Sequence, residues 1–195
     1  MTKKELETFI EKHPEKEISA AKIQYYMYLV PGAVDEINNI TSKYRENTFE
    51  DKLHKRMIEQ IEEPEELLQL MRKNLSGENK AALLKKNIQC EDKMRLLIEA
   101  KALTNKQDQF IENAVSFLLL CKENVCGWIL ENYQDFESEY LKSLLCLALG
   151  FKGDKDVIPM LMQEVERFEK SYPNESYEQG PLLALKETLV RFYSN

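Results

Sequence analysis

The sequence predicts an all-α protein in which short helices pair into hairpins that follow one another along the chain. Apolar residues recur at spacings of three and four over most of the chain, which places them on one side of an α-helix. Glycine and proline are scarce, at six each in 195 residues, and 31% of the residues are charged, as suits helices. Polar turns separate the paired stripes at intervals of roughly 25 to 40 residues, which is the periodicity of a helical solenoid.

Residues 1–62 are predicted to form N-terminal helices that cap the fold. In chain order these helices cover residues 1–12, 17–30, 34–44 and 49–61. Pro14 ends the first and Pro31-Gly32 ends the second, because the residue before a proline avoids helical geometry. Asn47 and Thr48 both offer an N-cap for the fourth helix. The apolar stripe of that helix is expected to face the core and consists of Phe49, Leu53, Met57 and Ile61.

Residues 63–195 are predicted to form about four helical hairpins, within one domain that spans residues 1–195. The predicted pairs are 64–75 with 81–88, 91–103 with 107–121, 125–133 with 138–149, and 154–172 with 176–193. Pro64 suits a first helical turn, where its missing donor costs nothing, and Ser76-Gly77 is expected to close that helix. Ser176 and Gln179 can form a capping box. The helix over 81–88 is expected to bury its apolar residues, Ala81, Leu84 and Ile88.

The segment Leu144–Phe168 reads as two helices joined by a tight polar turn. Gly150 is expected to end the first helix, because glycine adopts the left-handed conformation of a C-cap without steric cost. Asp154 or Asp156 can cap the second helix. With Asp156 as the cap, Pro159 lies in the first turn; with Asp154 as the cap, Pro159 bends the helix. We expect a start near Asp154 and a slight kink.

Residues 144–193 resemble the repeat of the bacterial HEAT-like family. The residues that carry the resemblance are Ala148-Leu149-Gly150, Gly153-Asp154, Val157-Ile158-Pro159 and Leu161, followed by the second-helix segment Tyr177–Glu187. The resemblance implies a right-handed α-solenoid, or superhelix, of HEAT-like helical hairpins. It also implies two functional classes, because many HEAT-like proteins are protein-interaction modules and some are DNA-base glycosylases or bilin lyases.

The charge of the chain disfavours a nucleic-acid partner. The formal net charge is −7 and the pI is about 5.1. From residue 108 onward there are 8 basic and 15 acidic side chains, whereas the first 107 residues hold 19 of each. Proteins that bind the phosphate backbone gain affinity from lysine and arginine, which displace counterions.

The sequence predicts a cytoplasmic protein with no membrane association. Its longest apolar runs are far shorter than the ~20 residues needed to span a bilayer. The start of the chain, MTKKELETF, has acidic residues where a signal peptide needs an apolar core. The four cysteines lie in or beside apolar helical patterns, as expected for a reducing compartment.

No constellation of reactive residues indicates catalysis, a metal or a cofactor. His13 and His54 have no partner at metal-ligand spacing and are expected at the surface. Cys121 and Cys126 lack the further ligands that zinc needs, and they are expected to be buried thiols. Three carboxylate pairs are expected on solvated faces, Glu62-Glu63, Glu65-Glu66 and Glu164-Glu166. Trp128 is expected to pack in the core rather than to stack on a ligand.

Two groups of residues are candidates for binding. The first is the aromatic patch Tyr25, Tyr26 and Tyr28, because tyrosine is enriched among residues that dominate interface energies; helix packing is its alternative role. The second is a basic cluster between Arg72 and Lys101, which can recognise an acidic partner or phosphates. Pairing with the nearby Glu78, Glu91 and Glu99 explains much of that cluster. The lysines chosen from it are Lys85, Lys86 and Lys93.

These observations favour a non-catalytic protein-interaction or scaffold module whose partner is another protein. The alternative that the resemblance implies is an enzyme such as a DNA-base glycosylase or a bilin-lyase-type subunit. A third hypothesis is a homo-oligomer or a subunit of a larger assembly, because the last apolar helix runs to Tyr193. Retention on heparin in low salt tests the glycosylase, and light scattering tests the oligomer.

Overall fold

A computed structural model describes residues 1–16, 19–29 and 48–194. In these ranges it contains eleven α-helices, one 3-10 helix at Lys155–Val157 and no strand, so the all-α prediction is confirmed. The helices are α1 Lys3–Lys12, α2 Ala20–Leu29, α3 Phe49–Gln60, α4 Pro64–Leu70, α5 Gly77–Gln89, α6 Glu91–Ala102, α7 Asp108–Leu120, α8 Cys126–Asn132, α9 Glu139–Lys152, α10 Ile158–Ser171 and α11 Gly180–Tyr193. The break predicted at Pro31-Gly32 and the helix predicted over 34–44 lie outside the described residues.

Two compact units make up the chain. The terminal unit comprises Met1–Tyr26, Glu123–Gln134 and Glu139–Asn195, and the central unit comprises Met27–Lys122 and Asp135–Ser138. The terminal unit therefore holds α1, most of α2 and α8 to α11, and the central unit holds α3 to α7. The expectation of a single domain over residues 1–195 stays a prediction.

In the central unit, alternate helices lie side by side. α3 packs on α5, α4 on α6 and α5 on α7, and each helix from α4 to α6 also contacts the next one. At the starts of α3 and α5, Asn79 Nδ2 donates to the carbonyl of Asp51 (3.0 Å). At their ends, Lys86 Nζ donates to the carbonyls of Glu59 (3.0 Å) and Ile61. The two helices therefore run in the same direction.

The buried face of α3 is not the predicted one. Phe49 and Leu53 are 84% and 46% exposed, whereas His54 and Ile58 are 6% and 2% exposed. Residues four apart advance by about 40° around a helix at each step, because a turn takes 3.6 residues. The predicted stripe therefore rotates from an outward position at Phe49 to a half-buried one at Ile61.

The predicted face of α5 is also wrong. Ala81 is exposed, and Leu84 and Ile88 are half-buried. Three residues spaced by four form the buried face instead: Asn79, Leu83 and Asn87. A search for apolar residues cannot find this face, because two of its three members are asparagines.

In the terminal unit, α11 contacts α1, α9 and α10. Residues 144–149 of α9 are buried without exception. The prediction that Gly150 ends α9 is wrong, because the helix continues to Lys152. A Cβ at Gly150 would lie 2.7 Å from the carbonyl oxygen of Ala184 on α11, and a Cβ at Gly180 of α11 would clash with Ser143 of α9. Both glycines are therefore required by the close approach of the two helices.

The turn before α10 differs from both predicted arrangements. Asp154 has an extended backbone and precedes the 3-10 helix, and its side chain makes no capping hydrogen bond. α10 starts at Ile158, so Pro159 lies in its first turn. The missing N–H of Pro159 costs no helical hydrogen bond in the first turn, so the proline gives no reason for the kink that was expected.

Three predicted helix ends have different outcomes. Thr48 caps α3, because its hydroxyl accepts from the backbone N–H of Asp51 (3.1 Å), which confirms one of the two predicted caps. Ser76 does not close α4, which ends at Leu70; its hydroxyl instead accepts from the N–H of Asn79 (3.4 Å) and caps α5. α11 begins after Gln179 without a side-chain cap, so the predicted capping box is wrong.

Candidate binding surface

Of the three tyrosines predicted to bind, one is buried and one is exposed. Tyr25 is 8% exposed, and its hydroxyl donates to Glu187 Oε2 (3.4 Å). Its ring centroid lies 5.6 Å from that of Phe151. Burial raises the pKa of Tyr25, and the neighbouring Glu187 raises it further. Tyr26 is 44% exposed and stays a candidate, whereas the side chain of Tyr28 lies outside the described part of the chain.

Of the three predicted lysines, one has a structural role. Lys86 donates to carbonyls at the end of α3, where a cation also interacts favourably with the helix dipole. Lys85 and Lys93 are exposed and form no ion pair with any described residue. Of the acidic residues expected to pair with this cluster, Glu99 does so, with Arg95 (3.6 Å). Glu78 instead pairs with Lys55 (3.2 Å), and Glu91 accepts from the backbone N–H of Lys122 (2.7 Å).

A surface that the sequence did not predict lies on α3. We call Phe49, Leu53 and Met57 the α3 stripe; the first two are exposed and Met57 is half-buried. Lys52 and Arg56 lie on the same exposed side of the helix, at about 60° and 20° from Phe49 when each residue turns by about 100°. Neither cation forms an ion pair within the part of the chain that the structure describes. The four-residue spacing and its rotation were the signal for this outward position.

The strongest cluster of titratable groups lies in the terminal unit. Tyr133 Oη donates to Glu164 Oε2 (2.6 Å) and lies 3.3 Å from Cys146 Sγ. Arg167 donates from Nε and Nη2 to Glu164 (2.7 to 3.0 Å), and its Nη1 lies 2.8 Å from Glu139 Oε2. This network joins α9, α10 and the residue after α8. Glu164 is buried, so the prediction that it lies on a solvated face is wrong.

The chemistry of this network favours a structural role. Burial raises the pKa of the Tyr133 hydroxyl and of the Cys146 thiol, so both groups stay protonated at neutral pH. Burial alone lowers the pKa of Arg167, but its hydrogen bonds to Glu164 and Glu139 reverse this and raise the pKa. A protonated phenol and thiol are poor nucleophiles. Arg167 three residues after Glu164 was the sequence signal for an ion pair, although it did not show burial.

The two histidines are less exposed than predicted. His54 is 6% exposed, and its Nδ1 has no hydrogen-bond partner among the described residues. His13 is half-buried, and its Nδ1 lies 2.8 Å from Glu169 Oε2 on α10. His54 lies on the inner side of α3 because the helix packs on α5 through that side. The prediction of surface histidines is therefore wrong for His54.

The cysteines are not arranged as ligands. Cys121, Cys126 and Cys146 are buried and Cys90 is half-buried, and all four are free thiols. Burial raises the pKa of Cys90 and of Cys126. In residues 1–16, 19–29 and 48–194, no group of three or more histidine, cysteine, aspartate or glutamate side chains is placed to hold a metal ion. Trp128, expected in the core, is half-buried.

Comparisons with protein-family models, curated proteins and solved structures find no match to this chain. The HEAT-like resemblance of residues 144–193 therefore stays a prediction. Among the described helices, none has both the length and the apolar character that a bilayer crossing requires.

Proposed function

We propose that this protein is a non-catalytic interaction module that binds another protein in the cytoplasm. Its proposed architecture is a right-handed α-solenoid of HEAT-like hairpins. The contacts within the central unit support this architecture, because side-by-side alternate helices are what stacked hairpins produce.

The observation that carries the proposal is the exposed α3 stripe. α3 buries one face through His54 and Ile58, yet it also leaves Phe49 84% exposed and Leu53 46% exposed. Single exposed apolar residues are common, but neighbouring ones on one helix mark candidate interaction sites. A partner that covered this stripe would remove it from water and gain roughly 25 cal/mol per Å² of apolar area.

The terminal unit supports the non-catalytic part of the proposal. Two of its carboxylates, Glu139 and Glu164, share the cation of Arg167, and the thiol of Cys146 is buried and protonated. These groups are engaged with one another rather than with open space. Such an arrangement stabilises packing and has no free nucleophile for a substrate.

Affinity capture from the source cells tests the proposal. The bait is the full chain, and the test variant carries Phe49→Ser with Leu53→Ser. The control is Leu96→Ser, because Leu96 is also exposed (61%) but lies on α6. We expect a protein that co-purifies with the wild type and with the control but is lost from the double variant.

Circular dichroism should show the same helix content and melting temperature for all three proteins, since surface substitutions usually change stability by less than about 0.5 kcal/mol. A wild-type bait that captures nothing more than the double variant would contradict the proposal. Strong retention on heparin at low salt would instead favour the DNA-base glycosylase.

A further inference from the structure

We propose that the partner presents an acidic amphipathic helix, which lies along the α3 stripe with its carboxylates against Lys52 and Arg56. This inference rests on the proposed function and adds the chemistry of the partner. It is carried by the shape of the stripe and by the charges that border it.

The stripe has the form of a helix-binding surface. Its two exposed members are one helical turn apart, about 6 Å along the axis at 1.5 Å per residue. They therefore form a short apolar ridge on the surface of α3. Helices pack by placing a ridge of one into a groove of the other, and an amphipathic helix binds such a surface through apolar residues three or four apart.

The charges beside the stripe select the sign of the partner. Lys52 and Arg56 are exposed and unpaired among the described residues, and they are one turn apart, like Phe49 and Leu53. By contrast, the cation on the far side of α3 is already engaged, because Lys55 pairs with Glu78 (3.2 Å). A helix with apolar residues flanked by aspartate or glutamate would satisfy both the ridge and the two free cations.

An anionic membrane is the rival occupant, because exposed phenylalanine and leucine beside lysine and arginine also suit a lipid surface. The exposed carboxylates of Glu50 and Glu59 on α3 disfavour this reading. Each would be repelled by anionic headgroups near the plane of contact. For a helical partner placed against Lys52 and Arg56, Glu50 lies on the opposite flank of the stripe, and Glu59 lies on the same flank, three residues beyond Arg56.

Selection from a displayed library of amphipathic helical peptides, with apolar positions fixed and flanking positions random, tests the inference. The targets are the full wild-type chain, the charge-reversed variant Lys52→Glu with Arg56→Glu, and the stripe variant Phe49→Ser with Leu53→Ser. We expect the wild type to select peptides rich in aspartate and glutamate. The charge-reversed variant should select lysine and arginine, and the stripe variant should select no specific peptide.

A recovered acidic peptide should bind the charge-reversed variant at least about tenfold more weakly than the wild type, with a difference that shrinks in high salt. Wild-type selection without an acidic bias, or a bias that survives charge reversal, would overturn the inference while leaving the proposed function intact. Loss of captured protein from the source cells with the stripe variant remains the separate test of that function.

The remaining occupants give distinct results, and each would overturn the inference. Anionic vesicles that sediment the wild type but not the stripe variant would assign the surface to lipid. Self-association that Phe49→Ser abolishes would assign it to a second copy of this chain. Cross-links within a monomer between α3 and residues 30–47 of the same chain would assign it to that segment.

Discussion

The terminal and central units differ in how they treat buried polar groups and apolar surface. In the terminal unit, the buried carboxylate of Glu164 has both Arg167 and Tyr133 as partners. In the central unit, the fully buried side-chain amide of Asn87 has no hydrogen-bond partner among the described residues, and the α3 stripe faces outward. The charged network of the terminal unit is thus satisfied within that unit, although Gln179 Oε1 has no hydrogen-bond partner among the described residues. The central unit leaves more such buried atoms, on His54, Asn87 and Asn113.

The two units therefore differ in whether they are stabilised by their own contacts or can gain stability from a partner. Paired charges and continuous apolar packing stabilise the terminal unit, in which Tyr26 is the predicted binding residue that is exposed. The central unit has fewer buried apolar residues per helix, so it is the place where a partner can add stability by binding.

The largest expected effect is the loss of the buried ion pair. Arg167→Met leaves the carboxylate of Glu164, whose side chain is 8% exposed, without its cation. We expect the free energy of unfolding to fall by about 3 kcal/mol, near the low end for buried pairs because Arg167 is partly exposed. The control is Lys55→Met in the exposed pair with Glu78, which should cost less than about 1 kcal/mol. If urea unfolding shows that both variants lose the same free energy of unfolding, the two units do not differ in this respect.

The close contact between α9 and α11 gives the next effect. Gly150→Ala places a Cβ 2.7 Å from the carbonyl oxygen of Ala184, and we expect a loss of about 1 to 3 kcal/mol from overpacking. Gly127→Ala is the control, because Gly127 lies in α8 with nothing within 4 Å of an added Cβ. That change should raise stability by roughly 0.5 kcal/mol through helix propensity. Thermal unfolding of both variants tests this prediction. If Gly150→Ala leaves the stability unchanged, α9 and α11 can move apart at little cost.

The all-α fold could be predicted from the sequence, because the spacing of apolar residues along a helix is a local property, and some helix starts could be predicted as well. Thr48 and Pro64 act at the positions that their chemistry favours. Gly150 was misread because a glycine can serve either a helix end or a close helix contact. The choice depends on Ala184, 34 residues away, which local patterns do not include.

The candidate surface was predicted less well, since exposure depends on which neighbour a helix packs against. Phe49 and Leu53 have the spacing of a buried stripe, and only the packing of α3 on α5 turns them outward. Tyr25 illustrates the reverse case, because a residue type common in interfaces is buried against Phe151 and Glu187. Residue type and spacing alone therefore do not predict which apolar and aromatic side chains are exposed.

Replacing two asparagines of the central unit should change the free energy of unfolding by smaller amounts and in opposite directions. Asn87→Leu replaces a buried amide that has no partner among the described residues, and we expect unfolding to cost about 1 to 2 kcal/mol more. Asn113→Leu removes the hydrogen bond from Asn113 Nδ2 to the carbonyl of Met71 (2.8 Å) and should cost about 1 kcal/mol of stability. Urea unfolding measures both. A destabilised Asn87→Leu variant would show that this amide is satisfied, and the contrast with the terminal unit would weaken.

The smallest effect concerns Glu187, a carboxylate in the terminal unit whose burial opposes its charge. Burial raises its pKa above the ordinary value of 4.5, although the hydrogen bond from Tyr25 partly opposes the rise. A raised carboxyl pKa favours the protonated folded state, so this contribution is fully present below about pH 4.5 and is lost as the pH rises through the folded pKa.

Glu187→Gln keeps an acceptor for Tyr25 and removes the charge. We expect it to be more stable than the wild type at pH 7, by less than about 1 kcal/mol, and equal to it near pH 4. Glu166→Gln, on the exposed side of α10, should show no such difference. If Glu187→Gln is less stable than the wild type at pH 7, the charge of Glu187 itself stabilises the packing of α2 on α11. The terminal unit would then depend on charged side chains even more than its difference from the central unit indicates.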